Sequence, residues 1–236
     1  ITISKSDKAD FFMQIYNADG SKGEMCGNGI RCVGKYVYDK HLTDKTELTV
    51  ETLAGVKKLI LSVSNGKVTS VVVDMGDPLF HNGEVLKSDI ESSLVRHSLK
   101  ILNNDYDVMD ISMGNPHAVI FVSEITDYLV LDVGSLIEKN DYYPNRTNVE
   151  FVKELGEGVI EMRVFERGSG ETFACGTGAC ASAVAYMLIH KNIDDVLVKL
   201  IGGNLKIRWD KNNNHIYMEG PATMVYDGII NLDDLL

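Results

Sequence analysis

Apolar and polar positions alternate along much of the chain with the period of half-buried strands. Phe11, Met13 and Ile15 share one face of such a segment, and Met162 and Val164 share one face of another. Stretches rich in β-branched residues at 49–74, broken at Gly55 and Gly66, and at 196–207, broken at Gly202 and Gly203, predict hairpins. Further strands are expected at 215–218 and 118–122. A helix over 177–190 carries Ala179, Ala181, Ala183, Val184, Ala185, Met187 and Leu188, apolar nearly all round. A helix with no polar face is buried, so a curved sheet is expected to wrap it. A second helix over 28–38 carries Arg31 and Lys35 and is expected to be less enclosed. Two more helices are predicted at 89–99 and 135–140.

These elements repeat. Shifted by 149 residues, the chain places Cys26 on Cys175, Gly27 on Gly176 and Gly29 on Gly178. Met13 then meets Met162, Ile15 meets Val164 and Tyr16 meets Phe165. Each copy reads strand, polar Gly-rich loop, Cys-Gly-x-Gly, helix. The expected fold is α/β: two pseudo-symmetric domains from an internal duplication, each a curved mixed sheet or barrel around a central helix, with a site in the cleft between them.

Composition changes this picture little. Of 236 residues, 44% are apolar and 24% charged, as in ordinary globular chains. The net charge of −11 argues against nucleic acid and anionic membranes as partners. No apolar run approaches the roughly 20 residues of a membrane span. The four cysteines, Cys26, Cys32, Cys175 and Cys180, are spaced more widely than zinc-binding pairs, so neither a metal nor a disulfide framework is expected. Reduced thiols suit a cytoplasmic protein.

The chemistry lies in the repeated motif. A cysteine at a helix N-terminus meets the positive end of the dipole, which favours thiolate, and bare glycine backbone lets a carboxylate dock on the same N–H groups. One such motif also suits a buried cysteine capping a tight turn. Two copies facing each other would set one thiol on each side of a cleft, which is what inverting a stereocentre requires. Without an electron sink, oriented N–H donors must stabilise the carbanion, so no cofactor is expected. Glu166 and Arg167, following the strand before Cys175, read either as a solvated pair or as a clamp. Asn17 is the counterpart of Glu166 beside the other cysteine and favours the clamp, with Arg167 suited to a carboxylate. A lone His117 is by itself more often a hydrogen-bonded loop residue than a catalyst, and the other histidines read as surface.

The run Asn17-Ala-Asp-Gly-Ser-Lys-Gly-Glu-Met-Cys26-Gly-Asn-Gly-Ile-Arg-Cys32 resembles the first active-site signature of the diaminopimelate epimerase family. Glu166-Arg-Gly-Ser-Gly-Glu-Thr-Phe-Ala-Cys175-Gly-Thr-Gly-Ala-Cys-Ala-Ser182 resembles the second, and Ser112-Met-Gly-Asn-Pro-His117 and Thr147-Asn-Val-Glu-Phe151 resemble intervening motifs. The resemblance implies interconversion of LL- and meso-diaminopimelate without pyridoxal phosphate, with Cys26 and Cys175 as the acid/base pair. It implies assisting roles for His117 and Glu166. It assigns the distal amino-carboxylate end of the substrate to Asn17, Asn115, Asn148 and Arg167, counts Glu166 among the substrate-binding residues as well, and gives the reacting carboxylate to Gly27, Asn28, Gly176 and Thr177. It also implies a division into residues 1–74 plus 221–236 and residues 75–220, and allows a homodimer.

The alternatives are a proline racemase-like enzyme of the same fold, an isomerase or non-catalytic relative that has lost a thiol, and a thiol-disulfide protein. The distal clamp, the presence of both thiols and the lack of Cys-x-x-Cys weigh against them in turn. The family also opens with a Gly-rich segment bearing an Asn, which is not found here. Under the repeat, the counterpart of Asn115 falls roughly 35 residues before Ile1, so the natural chain is expected to extend about 40 residues further.

Overall fold

The computed structural model describes residues 1–16, 20–23 and 25–229. The first half runs β1 (Thr2–Ser4), β2 (Phe11–Tyr16), β3 (Lys22–Gly23), α1 (Gly27–Asp39), β4 (Glu47–Thr52), β5 (Gly55–Ser64) and β6 (Lys67–Gly76). Then follow a 3₁₀ turn (Ser92–Val95), β7 (Arg96–Ile101), β8 (Asn104–Ser112), β9 (Pro116–Phe121), a π-helical turn (Tyr128–Val133) and α2 (Gly134–Glu138). The last part runs β10 (Asn148–Gly156), β11 (Val159–Glu166), β12 (Gly170–Thr172), α3 (Gly176–Ile189), β13 (Asp195–Leu200), β14 (Gly203–Trp209) and β15 (Ile216–Gly220).

The strands form one continuous path, β1-β2-β4-β5-β6-β15-β14-β13-β11-β10-β9-β8-β7, with β3 on β2 and β12 on β11. Pairs β2–β4, β11–β13 and β9–β10 are parallel and the rest antiparallel, so the sheet is mixed. The duplication is visible in this order. β1-β2-β4-β5-β6 matches β10-β11-β13-β14-β15 pair by pair, including the one parallel step. The halves join where β6 and β15 run antiparallel, with Val71 opposite Gly220. Those two residues are themselves 149 apart, so the pseudo-twofold axis passes through this pair.

The central helices differ as their patterns predict. From Gly178 to Leu188 every residue of α3 is buried, packed by β8–β11 and β13–β15. Its alanines let the sheet approach, while Val184, Met187 and Leu188 each contribute about 1.5–3 kcal/mol of burial. Helix α1 buries Ile30, Val33 and Val37 against β5 and β6 and leaves Tyr36 exposed. Lys35 pairs with Asp39 at 2.7 Å, and Asp39 also accepts from the Val68 amide at 2.9 Å, tying the end of the helix to β6. One flank of α1 opens into a cavity of about 520 Å³ lined by Ile1, Gly29, Cys32, Val33 and Tyr36.

One predicted helix is corrected. Segment 89–99 contains only the short 3₁₀ turn before β7 begins at Arg96. Leu99 and Ile101 are buried between exposed Ser98 and Lys100, a period of two that suits a strand. The segment predicted at 135–140 is helical, as α2 with the π-helical turn before it. Among the described residues, no helix is long and apolar enough to cross a membrane.

Candidate active site

Both motif cysteines are helix N-caps. Cys26 is extended (φ −136°, ψ 112°) and its Sγ accepts from the Gly29 amide at 3.3 Å. Cys175 repeats this (φ −113°, ψ 115°), with Sγ accepting from the Gly178 amide at 3.4 Å. A sulfur in this position takes one of the free N–H groups of the first turn and lies at the positive end of the helix.

The two N-termini meet at the axis. A Cβ on Gly27 would lie 2.9 Å from Met218 Cε and 3.7 Å from the Gly176 Cα, so bare glycine backbone is what allows the approach. Asn28 fastens the two motifs together, its Nδ2 donating to the Ala174 carbonyl at 3.0 Å while its Oδ1 accepts from Arg31 Nη1 at 3.2 Å. Arg31 is itself buried, with Nη1 also donating to the Gly27 carbonyl at 3.1 Å. Between the motifs lies a cavity of about 490 Å³, lined by Cys26, Gly27, Asn28, Asn115, Glu166, Arg167, Cys175, Gly176 and Thr177, together with Lys22, Lys57, Met75 and Met113. That is large enough for a small amino acid.

Of the residues singled out in the sequence, Asn17 lies outside the described residues, and nine others line this cavity. His117 is nearly fully buried beside it: Nδ1 is 2.7 Å from Glu150 Oε1 and Nε2 is 3.2 Å from Asn115 Oδ1. Asn148 is buried too, accepting from the Arg167 amide at 2.9 Å and donating to the Pro116 carbonyl at 2.9 Å. Glu166 accepts from the Thr172 hydroxyl. The Arg167 guanidinium is exposed, donates to the Asn145 carbonyl at 3.4 Å, and forms no ion pair among the described residues. Its loop is held from beneath: buried Glu138 accepts from the Gly168 amide at 3.1 Å and from Arg146 at 3.3 Å.

Sequence reasoning missed Glu150, Glu138 and Lys57. A signal existed for the first, since Glu150 is a charge within the otherwise apolar run Val149-Glu-Phe-Val152. Three of the five histidines read as surface have company. His97 stacks on Tyr142 with ring centroids 4.3 Å apart and lies 3.2 Å from Asp110, while His215 and His190 face Asp74 and Glu154.

The electrostatics of the thiols refine the expectation of thiolate at both helix starts. Burial, with Glu166 and Glu150 nearby, pushes the Cys175 thiol well up, against the opposing hydrogen bonds from Thr177 and the Gly178 amide. Burial also pushes Cys180 up to about 12. All four cysteines are free, with Cys32 exposed, Cys26 partly exposed and the other two buried. Iodoacetamide at pH 8 is therefore expected to alkylate Cys32 and Cys26 well before Cys175, and Cys180 last, as peptide mapping over time would read. Faster labelling of Cys175 than of Cys26 would contradict this order.

The diaminopimelate epimerase family model matches residues 1–81 and 109–225, spanning both cysteine motifs. The chain belongs to the diaminopimelate epimerase family. It is 48% identical over 239 residues to the diaminopimelate epimerase of Agathobacter rectalis, covering 98% of this chain and 84% of that protein. It is 45% identical over 232 residues to the diaminopimelate epimerase of Methanococcus maripaludis, with the same two coverages. Among solved structures, a hydroxyproline epimerase from Agrobacterium vitis with bound trans-4-hydroxy-L-proline superposes with a TM-score of 0.72 over 92% of this chain and 70% of that one, at 16% identity. A phenazine biosynthesis protein of the PhzF family from Bacillus anthracis gives 0.67 over 93% and 80%, at 20% identity. These structures share the fold of this diaminopimelate epimerase family member, a duplicated mixed sheet with a central helix in each half.

Proposed function

We infer that the chain interconverts LL- and meso-diaminopimelate by a two-base mechanism without a cofactor, Cys26 and Cys175 carrying the proton on opposite faces of the α-carbon. The observation that carries this reading is the pair of N-cap cysteines, related by the internal repeat, that line one cavity. The substrate's α-carboxylate docks on the amides at the starts of α1 and α3. One thiolate takes the α-proton and becomes a thiol. The other thiol gives its proton to the opposite face and becomes a thiolate, so the pair ends each turnover with roles exchanged. Negative charge that develops on the carboxylate is met by the same amides, already oriented before the reaction. Burial favours the thiol form of Cys175, the form in which it can give up a proton.

The distal end of the substrate is assigned to Arg167, Glu166, Asn115 and Asn17, with Asn148 fixing the backbone of Arg167. We divide the halves at Asp74 and Gly220, into residues 1–74 plus 221–236 and residues 75–220, a division supported by the β6–β15 seam. We place the protein in the cytoplasm, where the two thiols stay reduced. Wash-in of deuterium from D₂O at the α-carbon, compared for LL- and meso-diaminopimelate, proline and glutamate, tests the reading. Exchange and inversion are expected with diaminopimelate alone, and exchange with a monoamino acid but not diaminopimelate would overturn the substrate assignment.

A further inference from the structure

Glu150 is fully buried on β10, its Oε2 has no hydrogen-bond partner among the described residues, and the mechanism above gives it no task. It nevertheless begins a chain of polar contacts that ends on a reacting sulfur. Glu150 Oε1 is 2.7 Å from His117 Nδ1, and His117 Nε2 is 3.2 Å from Asn115 Oδ1. Asn115 Nδ2 donates to Thr177 Oγ1 at 3.2 Å, and that oxygen is 3.5 Å from Cys175 Sγ.

The donors and acceptors fix a direction. An amide oxygen only accepts, so Nε2 of His117 must carry hydrogen. Nδ1 then shares a single proton with Glu150, so the pair is neutral overall whichever partner holds it. Burial pushes the Glu150 carboxyl up, toward the protonated acid that donates to a bare Nδ1. Thr177 receives the Asn115 amide hydrogen on its lone pair and keeps its own hydrogen for the sulfur. If His117 took the other tautomer, Asn115 would turn over, the Thr177 hydroxyl would point at Asn115, and Cys175 would lose a donor.

We propose that Glu150 is a positioning residue which, by locking the His117 tautomer, orients Asn115 and Thr177 so that the Thr177 hydroxyl donates to Cys175. The effect belongs to one half of the site. Under the repeat Glu150 corresponds to Ile1, and where a Cβ on Gly178 would lie 2.6 Å from Glu150 Oε1, one on Gly29 would lie 2.7 Å from Ile1 Cδ1. Among the described residues, no chain of this kind reaches Cys26. The proposal rests on Cys175 being a proton carrier, which Cys175→Ala tests separately.

The decisive measurements are the pH dependence of Cys175 alkylation, with Cys26 followed in the same digests, and kcat and KM for diaminopimelate. Among the described residues, the ionisable and charged groups around Cys175 are Glu150 on β10 with His117 on β9 behind it, Glu166 at the end of β11, and Cys26, Arg167, Lys22 and Lys57 around the cavity. Glu150→Leu removes the lock. Because the Glu150–His117 pair carries no net charge, the effect left is loss of a hydrogen bond to the charged sulfur. That loss is expected to raise the Cys175 midpoint by about one pH unit and lower kcat about tenfold. KM for diaminopimelate rises as well, since the freed Asn115 also serves the distal end of the substrate, while the Cys26 profile is unchanged. Glu150→Gln mimics the protonated acid, can donate to Nδ1, and should restore these quantities to within about threefold. Thr177→Val cuts the last link at a partly exposed position and should reproduce the Cys175 shift even if Glu150→Leu does not fold. Combining Thr177→Val with Glu150→Leu should add little to either single change. An unchanged Cys175 profile in Thr177→Val, or equal shifts at both cysteines in Glu150→Leu, would overturn the proposal, as would Glu150→Gln behaving like Glu150→Leu.

Discussion

Cys26→Ala and Cys175→Ala are each expected to abolish epimerisation, lowering kcat by roughly three orders of magnitude or more. Each face of the α-carbon is served by one proton carrier, and no second thiol can move in. Cys32 points into the separate cavity along the flank of α1, and Cys180 is sealed inside α3. The variants should also differ in a way that a general loss of structure cannot reproduce. With one thiol left, the epimer whose α-proton faces it still exchanges with D₂O but returns its deuteron to the same face. Exchange without inversion is therefore expected, from opposite epimers in the two variants. Cys180→Ala leaves a small void in a packed helix and should lower Tm while sparing kcat, and Cys32→Ala should change neither. Near-normal inversion by either N-cap variant would refute the two-base scheme.

The reasons why some of this was readable in the sequence, and some was not, are physical. A cap is local: Cys-Gly-x-Gly before an apolar run states where a helix starts and which side chain meets its free amides, so Cys26 and Cys175 could be placed without coordinates. The repeat then supplied what single motifs lack, a reason for two caps to face each other, and the Val71–Gly220 register bears this out. Segment 89–99 failed because its apolar residues suit either period over a short stretch, and only pairing with β8 decides between them. Asn28 reaching the Ala174 carbonyl joins residues 146 apart and follows from packing alone. Glu150 was hidden in another way. Strand β10 is buried on both faces over its first five residues, so alternation says nothing about where any of them points. The repeat gives no help either, since it pairs this carboxylate with Ile1. Asymmetry laid over a symmetric frame is invisible to a comparison of the two halves.

Arg167→Lys is the second change expected to have a large effect. Arg167 lines the cavity with its guanidinium free of carboxylate partners among the described residues, while two buried side chains pin the backbone beneath it: Asn148 on the Arg167 amide and Glu138 on the Gly168 amide. Ordering a loop so firmly under an unpaired cation keeps the entropy of clamping low when a carboxylate arrives. A planar fork meets a carboxylate with two parallel hydrogen bonds, and an ammonium offers only a point charge on a flexible stem. The expected loss is about 2–3 kcal/mol of binding, or roughly 30- to 150-fold in kcat/KM, carried mainly by KM. Thermal stability should hold, because the backbone contacts of residue 167 do not involve its side chain. Glu138→Gln supplies a contrast: it weakens the support without touching the guanidinium, and should lower both Tm and affinity. If Arg167→Lys left KM for diaminopimelate unchanged, the guanidinium would be a solvated surface charge, and discrimination against monoamino acids would have to come from Glu166 and Asn115 alone.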